Sequence, residues 1–186
     1  MGGFIKQRGG YKNLRAYKIT EIIYDLTARF VRKYIPAGSR TRDQMEQAAR
    51  SGKQNIAEGS MAAETSRETE IKLTNVAKAS LEELLLDYED YLRQNSLQQW
   101  GKKHHRLSRL RDYVKSDAFM SYPMKHTEKM TAEEYCNLCI TLIHQASYLL
   151  QKLMETQQAR FLSEGGIREQ MYRARLAYRN SKDNKN

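Results

Sequence analysis

The sequence of 186 residues is poor in the residues that interrupt helices or stabilise other folds. Two prolines and ten glycines leave long stretches free to form helix. Two cysteines do not make a disulfide framework, and a reducing compartment is therefore expected. No apolar run approaches the roughly 20 residues of a membrane span, and Met1-Gly2-Gly3-Phe4 lacks the apolar segment of a signal peptide. We therefore expect a cytoplasmic protein that is not bound to a membrane.

Acidic residues are also scarce, since 32 Lys and Arg oppose 22 Asp and Glu for a formal net charge of +10. The excess lies in residues 1–40 (net charge +7), 101–115 (+5) and 166–186 (+4), whereas residues 66–95 carry −3. Positive charge that is confined to peripheral segments indicates a polyanion partner, most simply nucleic acid. The alternative is a solvated surface that only keeps the protein soluble.

Apolar positions with a helical period predict four long helices and no strand. Helix 1 is expected to start at an N-cap on Asn13 and to end near residue 35, before a proline. Thr41 and Gln44 have the spacing of a capping box that opens helix 2. Helix 2 is then expected to end at Gly59, because glycine favours the position after a helix.

Two further capping boxes predict the remaining long helices. Thr65 and Glu68 are expected to open helix 3, which has about 28 residues of strong periodicity and a length of roughly 42 Å. Thr131 and Glu134 are expected to open helix 4, which Gly165-Gly166 then stops.

Weaker patterns lie between helices 3 and 4 and after helix 4. Residues 96–130 are a basic insertion with one short amphipathic helix carrying Leu107, Leu110 and Val114. A last helix is predicted from Ile167 to Arg179. Its apolar face, with Met171 and Tyr178, is expected to dock on the bundle or on a neighbouring subunit. Residues 180–186 are polar and are expected to be disordered.

The expected fold is therefore all-α, an antiparallel up-and-down four-helix bundle with a basic insertion between helices 3 and 4 and a short C-terminal helix. Residues 1–10 are a flexible basic arm, residues 11–165 form the bundle with its insertion at 96–130, and residues 166–186 are a basic suffix. The apolar stripes are broader than a single helix–helix seam requires, which indicates a homo-oligomer.

A line of polar residues runs along helix 2. Ser51, Asn55 and Glu58 are spaced i, i+4 and i+7 and share one face, and Glu58 is expected to face Lys78 or Ser80 of helix 3. Ser51, Asn55, Glu58 and Ser80 then form either a polar zipper that fixes helix register or a site. An acid/base site needs a carboxylate with a perturbed pKa and a second group within reach. We favour the zipper and assign no catalytic residue.

The sequence nominates no metal site and no cofactor. Cys136 and Cys139 are followed by His144, which raises the question of zinc. A structural zinc site needs four ligands, usually from loops or turns, whereas both cysteines lie inside one predicted helix among leucines. We expect free cysteines that pack as small apolar residues.

Cations interleaved with aromatic residues are the candidate nucleic-acid contacts, since cations bind phosphates and aromatic rings stack on unpaired bases. A basic amphipathic helix can also lie on a membrane, but the apolar face of the last helix is small. The candidates are Lys12, Arg15, Lys18, Lys102, Lys103, Arg106, Arg109, Arg168, Tyr172, Arg175 and Arg179.

Three stretches of the chain form a recognisable set: Tyr11-Lys12-Asn13-Leu14, the helix 2 segment Gln44 to Gly59 that ends in Asn55-Ile56-Ala57-Glu58-Gly59, and Ala77-Lys78-Ala79-Ser80-Leu81-x-Glu83-Leu84. Together they resemble the bacterial family of four-helix-bundle proteins encoded in intervening sequences of 23S rRNA genes. That family includes the accessory variability-determinant protein of diversity-generating retroelements. The paired arginines usual in the family are Glu46 and Gln47 here.

The resemblance implies a non-enzymatic protein that assembles as a ring-like pentamer. The retroelement member is basic, binds nucleic acid and partners a reverse transcriptase. We therefore expect a non-enzymatic oligomeric scaffold that binds RNA or DNA and assists a nucleic-acid-processing partner. The alternative is an adaptor that docks an acidic protein partner such as a reverse transcriptase, and the third hypothesis is an enzyme acting at the polar line.

Overall fold

The computed structural model describes residues 10–183, which form helices joined by turns and loops, with no strand among them. The predicted all-α class is confirmed. Two 3₁₀ turns lie at Gly10–Asn13 and Thr127–Lys129. The α-helices are α1 (Arg15–Tyr34), α2 (Arg40–Ala62), α3 (Arg67–Gln94), α4 (His105–Tyr113), α5 (Asp117–Ser121), α6 (Ala132–Glu164) and α7 (Ile167–Asp183). The arm predicted at residues 1–10 lies outside the described residues except for Gly10.

The four long helices α1, α2, α3 and α6 share one core. Helix α1 packs on α2 and α6, and α3 also packs on α2 and α6. The Tyr34 hydroxyl at the end of α1 donates to the Met130 carbonyl oxygen just before α6, over 2.8 Å. Deeper in the core, the Tyr135 hydroxyl donates to the Leu26 carbonyl oxygen over 3.0 Å. The end of α1 therefore meets the start of α6, and these two helices run antiparallel.

Aromatic rings from three helices fill the part of the core nearest the insertion. The Phe30 ring lies 5.0 Å from the rings of both Tyr88 and Tyr91, and 5.6 Å from that of Tyr135. The buried Tyr88 hydroxyl is 3.0 Å from the Thr27 hydroxyl, so its polar end is satisfied. Large rings with paired hydroxyls thus fix how α1, α3 and α6 meet.

The start of α6 agrees with the sequence prediction and the start of α1 does not. Thr131 caps α6 by accepting from the Glu134 amide, and the Glu134 carboxylate accepts from the Thr131 amide over 3.1 Å. This capping box is confirmed, and Gly165 ends α6 with φ of 71°. The N-cap predicted at Asn13 is wrong, because Asn13 closes a 3₁₀ turn and α1 begins only after Leu14.

The other two predicted capping boxes are wrong by one or two residues. The box at Thr41 is absent because α2 begins two residues earlier than it predicts, after Ser39, which caps the helix with no side-chain hydrogen bond. The box at Thr65 is replaced by Ser66, whose hydroxyl accepts from the Thr69 amide over 3.2 Å. Threonine and serine are adjacent here, and both suit an N-cap.

The helix end predicted at Gly59 is also wrong, since α2 continues for three further residues. Gly59 is buried where α2 crosses the start of α3, and a Cβ there would lie 3.3 Å from the Glu70 carbonyl oxygen and from Leu73 Cβ. A Cβ on Gly52 would lie 2.8 Å from Leu81 Cδ2. These glycines let the two helices approach closely, and at Gly59 that requirement outweighs the tendency of glycine to end a helix.

The insertion contains two short helices, α4 and α5, rather than the single helix predicted. Leu107 and Val114 are buried and Leu110 is half-buried, as their spacing predicts. Phe119 of α5 is fully buried although it lies outside that pattern. Because α4 packs against the side of α6, the insertion extends the core outward along that helix.

Helix α7 is longer and less covered than predicted. The helix continues to Asp183, so the disorder predicted from residue 180 is wrong for the described part, and residues 184–186 lie outside it. The predicted docking of its apolar face on the bundle is also wrong, because Met171 is 53% exposed and Tyr178 52% exposed, so much of this face is accessible to solvent. Its docking on a neighbouring subunit stays a prediction.

Candidate nucleic-acid interface

The candidate interface residues predicted from the sequence are exposed and fall into three groups. One group is at the start of α1, one is in the insertion and one is on α7. The structure does not bring all three together, because α7 packs extensively against neither α4 nor α1. All eleven side chains are accessible to a large ligand: Lys12, Arg15, Lys18, Lys102, Lys103, Arg106, Arg109, Arg168, Tyr172, Arg175 and Arg179.

A hydrogen-bonded loop anchors the insertion to α6. The Trp100 amide donates to Asn137 Oδ1 over 2.7 Å, and its indole Nε1 donates to Glu133 Oε1 over 2.9 Å. The Gln98 amide donates to the other oxygen of Glu133. The Trp100 bond and then the Gln98 bond lower the pKa of Glu133, so the carboxylate stays charged in this position. The Trp100 ring also stacks on His104 with centroids 4.9 Å apart. The basic group of the insertion is therefore held on a fixed support.

The predicted contact residues of the insertion are not equally available. Arg106 pairs with Glu134 over 3.2 Å, and its guanidinium lies 5.7 Å from the centre of the Trp100 ring. The other three form no ion pair with any residue of the described part: Lys102, Lys103 and Arg109. Arg106 is thus partly used in holding the insertion, and the other three are better placed to contact phosphates.

A cavity of about 530 Å³ lies between the insertion and α6, and the sequence prediction missed it. Lys102, Arg111 and Lys115 line it from the insertion, and Gln145 and Tyr148 line it from α6. The only indication of this cavity in the sequence was that polar and aromatic residues interrupt the otherwise apolar pattern of α6. That signal did not reveal the cavity because periodicity alone does not show which segment covers the outer side of α6.

The third group extends from a junction that Arg67 of α3 holds. Its guanidinium donates to the Arg160 carbonyl oxygen over 3.2 Å and to the Gly165 carbonyl oxygen over 2.9 Å, and it pairs with the Glu164 carboxylate. The start of α7 is thereby fixed to α3 and α6. The candidate residues follow along α7 with their side chains exposed: Arg168, Tyr172, Arg175 and Arg179.

The polar line of α2 forms a compact set of hydrogen bonds without Glu58. The Ser51 and Ser80 hydroxyls are 2.9 Å apart, and Asn55 Nδ2 donates to the Ser51 carbonyl oxygen and hydroxyl over 2.9 and 3.0 Å. Glu58 is exposed. Its predicted facing of Lys78 or Ser80 is wrong, because Lys78 Nζ donates to Gln151 of α6 over 3.0 Å and the Ser80 hydroxyl pairs with that of Ser51. Ser51, Asn55 and Ser80 thus join α2 to α3.

The two cysteines are buried and free, as expected of residues that pack as small apolar groups. Burial raises the pKa of Cys139 to about 12 and also raises that of Cys136, while His144 is exposed. Among residues 10–183, no group of three or more His, Cys, Asp or Glu side chains is arranged to hold a metal ion. Within the same residues, no helix is both long enough and apolar enough to cross a bilayer.

Comparisons with known proteins give no independent assignment. The resemblance to the intervening-sequence family rests on the three sequence stretches given above. Neither family models, nor curated proteins, nor solved structures provide a match to this chain, so membership of that family stays a prediction.

Proposed function

We propose that this protein is a non-enzymatic oligomeric scaffold that binds RNA or DNA through its peripheral basic segments. The observation that carries this proposal is the exposure of every candidate contact residue on segments outside the four long helices or at their ends. The acidic residues are concentrated elsewhere, on α3. Such an arrangement attracts a polyanion to the basic segments.

The fixed insertion is the best-supported contact surface. Its cations stand on a loop held by Trp100, Asn137 and Glu133, so less side-chain and backbone freedom is lost on binding than from a loose arm. Lysine and arginine contacts to phosphates make affinity salt-dependent and tolerant of sequence. The exposed Tyr172 on α7 adds a ring on which an unpaired base can stack.

We further propose that the four long helices form an antiparallel up-and-down bundle that associates with copies of itself, as a pentamer by resemblance. Exposed apolar side chains on the outer faces of α2, α3 and α6 support association: Met61, Val76, Leu86 and Leu162. Light scattering after size-exclusion chromatography is expected to give the mass of five chains. A monomer at micromolar concentration would refute the assembly.

The free buried thiols of Cys136 and Cys139 fit a cytoplasmic location, because a reducing compartment keeps cysteines as thiols.

Binding is tested by fluorescence anisotropy with a structured RNA and a single-stranded DNA over a salt series. The double variant Lys103→Gln/Arg109→Gln is expected to lower the slope of log affinity against log salt by about 2. The matched control Lys125→Gln/Lys129→Gln removes the same charge from exposed positions later in the insertion and is expected to change the slope little. Absence of binding by the unaltered protein at low salt would refute the function.

A second candidate function is an adaptor that docks an acidic protein partner such as a reverse transcriptase. The observation that favours it is the open apolar face of α7, where Met171 and Tyr178 lie beside exposed arginines. Protein interfaces bury apolar side chains of this kind at their centre. Co-purification of a partner that survives nuclease treatment, and that is lost when Met171 and Tyr178 are changed to Ser, would favour the adaptor.

We assign the polar line a structural role rather than an enzymatic one. The side chains of Ser51, Asn55 and Ser80 form hydrogen bonds with one another, as expected of a group that fixes the register of α2 against α3. Glu58→Gln is therefore expected to leave cellular function unchanged with the fold intact. Loss of function in that variant at full stability would revive an acid/base role for Glu58.

A further inference from the structure

The cavity between the insertion and α6 is lined by apolar side chains, cations and polar groups that have no evident role in the packing of the protein. Its volume of about 530 Å³ lies within the range of roughly 300 to 1,000 Å³ that is usual for small-ligand sites. Leu107, Val114 and Ile140 supply apolar walls, and Trp100 closes one side. The hydrogen bonds from Trp100 to Asn137 and Glu133 keep that side in place, so the cavity is largely preformed.

Three cations surround the cavity. Lys102, Arg111 and Lys115 line it and are exposed to solvent. None of the three forms an ion pair with a residue between positions 10 and 183. Their charge is therefore available to an anionic group at the cavity opening.

Helix α6 contributes an unsatisfied acceptor and an exposed ring. Gln145 lines the cavity, and its Oε1 is buried without a hydrogen-bond partner among the described residues, although a buried acceptor normally has one. The side-chain amide must therefore turn towards the cavity before a ligand can donate to it. Tyr148 lies one turn further along α6 and is 62% exposed beside the same cavity. A ligand that suits these groups needs a flat apolar surface and a hydrogen-bond donor together.

We propose that this cavity binds one unpaired nucleotide, either free or within a single strand. The base stacks on Tyr148, its exocyclic amino group donates to Gln145 Oε1 once that amide turns towards the cavity, and its phosphate lies against Lys102, Arg111 and Lys115. Adenine, cytosine and guanine carry such an amino group, whereas the only base donor of uracil is its ring N3–H, so the site favours the three amino bases over uracil. This inference deepens the proposed nucleic-acid function and rests on it where the nucleotide belongs to a strand.

The chemistry of the cavity distinguishes a nucleotide from an acidic peptide. A carboxylate would satisfy the cations, but it is an acceptor, so an acidic peptide could donate to Gln145 Oε1 only through its backbone N–H groups. It also has no flat surface to cover the Tyr148 ring. A nucleotide supplies the donor, the aromatic face and the anion in one ligand.

The first experiment compares single-stranded RNAs of about 12 nucleotides, a length within the usual site size of single-strand binding proteins. One strand is all adenine, one is all uracil and one is abasic, so that the phosphates are the same in all three. The adenine strand is expected to bind about tenfold more tightly than the abasic strand, because of stacking on one ring. The uracil strand is expected to lie between them.

Two variants assign the difference to the cavity. Tyr148→Leu is expected to remove most of the preference for adenine over abasic RNA, whereas the control Tyr122→Leu, at another exposed tyrosine, is expected to keep it. Gln145→Met has similar size but no acceptor and is expected to reduce the preference for adenine over uracil to the part that stacking supplies. Equal binding of adenine and abasic strands by the unaltered protein would overturn the cavity assignment while leaving phosphate-driven binding intact.

The second experiment tests a free nucleotide. Trp100 is the only tryptophan, so its fluorescence reports on the cavity wall without interference. Saturable quenching by AMP, absent with ribose 5-phosphate and lost in Gln145→Met, is expected. If no strand binds at low salt, the nucleic-acid function fails, and AMP quenching alone then supports a site for free nucleotides. If AMP also has no effect, the inference fails.

Discussion

Replacement of Gly52 by alanine tests how closely α2 and α3 approach each other. In an isolated helix this change is stabilising by about 1 kcal/mol, because alanine has the higher helix propensity. Here the added Cβ would lie 2.8 Å from Leu81 Cδ2 and 3.1 Å from Leu81 Cγ. Optimal carbon–carbon contact is about 3.5 to 4.0 Å, so Leu81 must move. Leu81 is fully buried and its surroundings are packed.

The magnitude follows from the balance of these two effects. Overpacking of a core by one methyl group costs about 1 to 3 kcal/mol. Subtracting the helix-propensity gain leaves a net loss of about 1 kcal/mol for Gly52→Ala, and up to about 2 kcal/mol if Leu81 is forced from its rotamer. The expected sign is therefore opposite to that in an exposed helix.

Urea unfolding followed by circular dichroism measures this balance. Leu81→Ala alone is expected to cost about 2 to 5 kcal/mol. The double variant Gly52→Ala/Leu81→Ala is expected to cost about 2 kcal/mol less than the two changes added, because the new methyl group then occupies vacated space and only the gain in helix propensity remains. Gly101→Ala is the control, since a Cβ there meets no atom within 4 Å. A stabilising Gly52→Ala with additive effects would refute the close approach.

Further predictions concern the core, its ion pair, its thiols and the tail. Leu142→Ala is expected to lower the free energy of unfolding by about 2 to 5 kcal/mol, since Leu142 is fully buried, and a near-zero cost in urea unfolding would mean that it is not core. Arg160→Met is expected to cost about 3 kcal/mol because it removes the partner 2.6 Å from the buried Glu70 carboxylate, and Glu70→Gln in the same background is expected to recover part of that loss. Burial raises the pKa of Cys139 from 9.0 to about 12, so this thiol favours the folded state below about pH 9 and loses that contribution as pH rises towards 12; its labelling by a thiol reagent at pH 8 is expected to require denaturant. Deletion of residues 167–186 is expected to weaken RNA binding in anisotropy more than it lowers the melting temperature, and the reverse result would make the tail part of the core.

The apolar periodicity predicted the helical class because it records which face of each helix is buried. Leu81, Leu142 and Tyr88 lie on the periodic apolar positions of the third and fourth long helices and are fully buried. Helix ends were predicted less well, since they depend on which of several suitable residues bonds the first amides. Before α6, Thr131 was the only adjacent residue suited to an N-cap, and its prediction was confirmed. Before α3, both Thr65 and Ser66 suit an N-cap, and Ser66 rather than the predicted Thr65 caps the helix.

The candidate cavity was beyond sequence reasoning for a different physical reason. Lys102 and Tyr148 are 46 positions apart, and their proximity depends on the insertion lying along α6 rather than over the end of the bundle. The contacts that place it there involve Trp100, Asn137 and Glu133, none of which belongs to a periodic apolar pattern. The local sequence pattern thus predicted the charge of the insertion, but it predicted neither the position of the insertion nor the polar residues of α6 that bind it.

The length of α6 sets a minimum size for any ligand that engages both ends of the protein. Its 33 residues extend for about 50 Å, but the cations of the insertion reach Tyr148, so the part of α6 between them and α7 is 16 residues or about 24 Å long. B-form DNA rises 3.4 Å per base pair, so about 7 base pairs are needed to cover that span. A shorter duplex can reach only one of the two basic surfaces, and affinity is therefore expected to rise abruptly once the duplex is long enough to contact both.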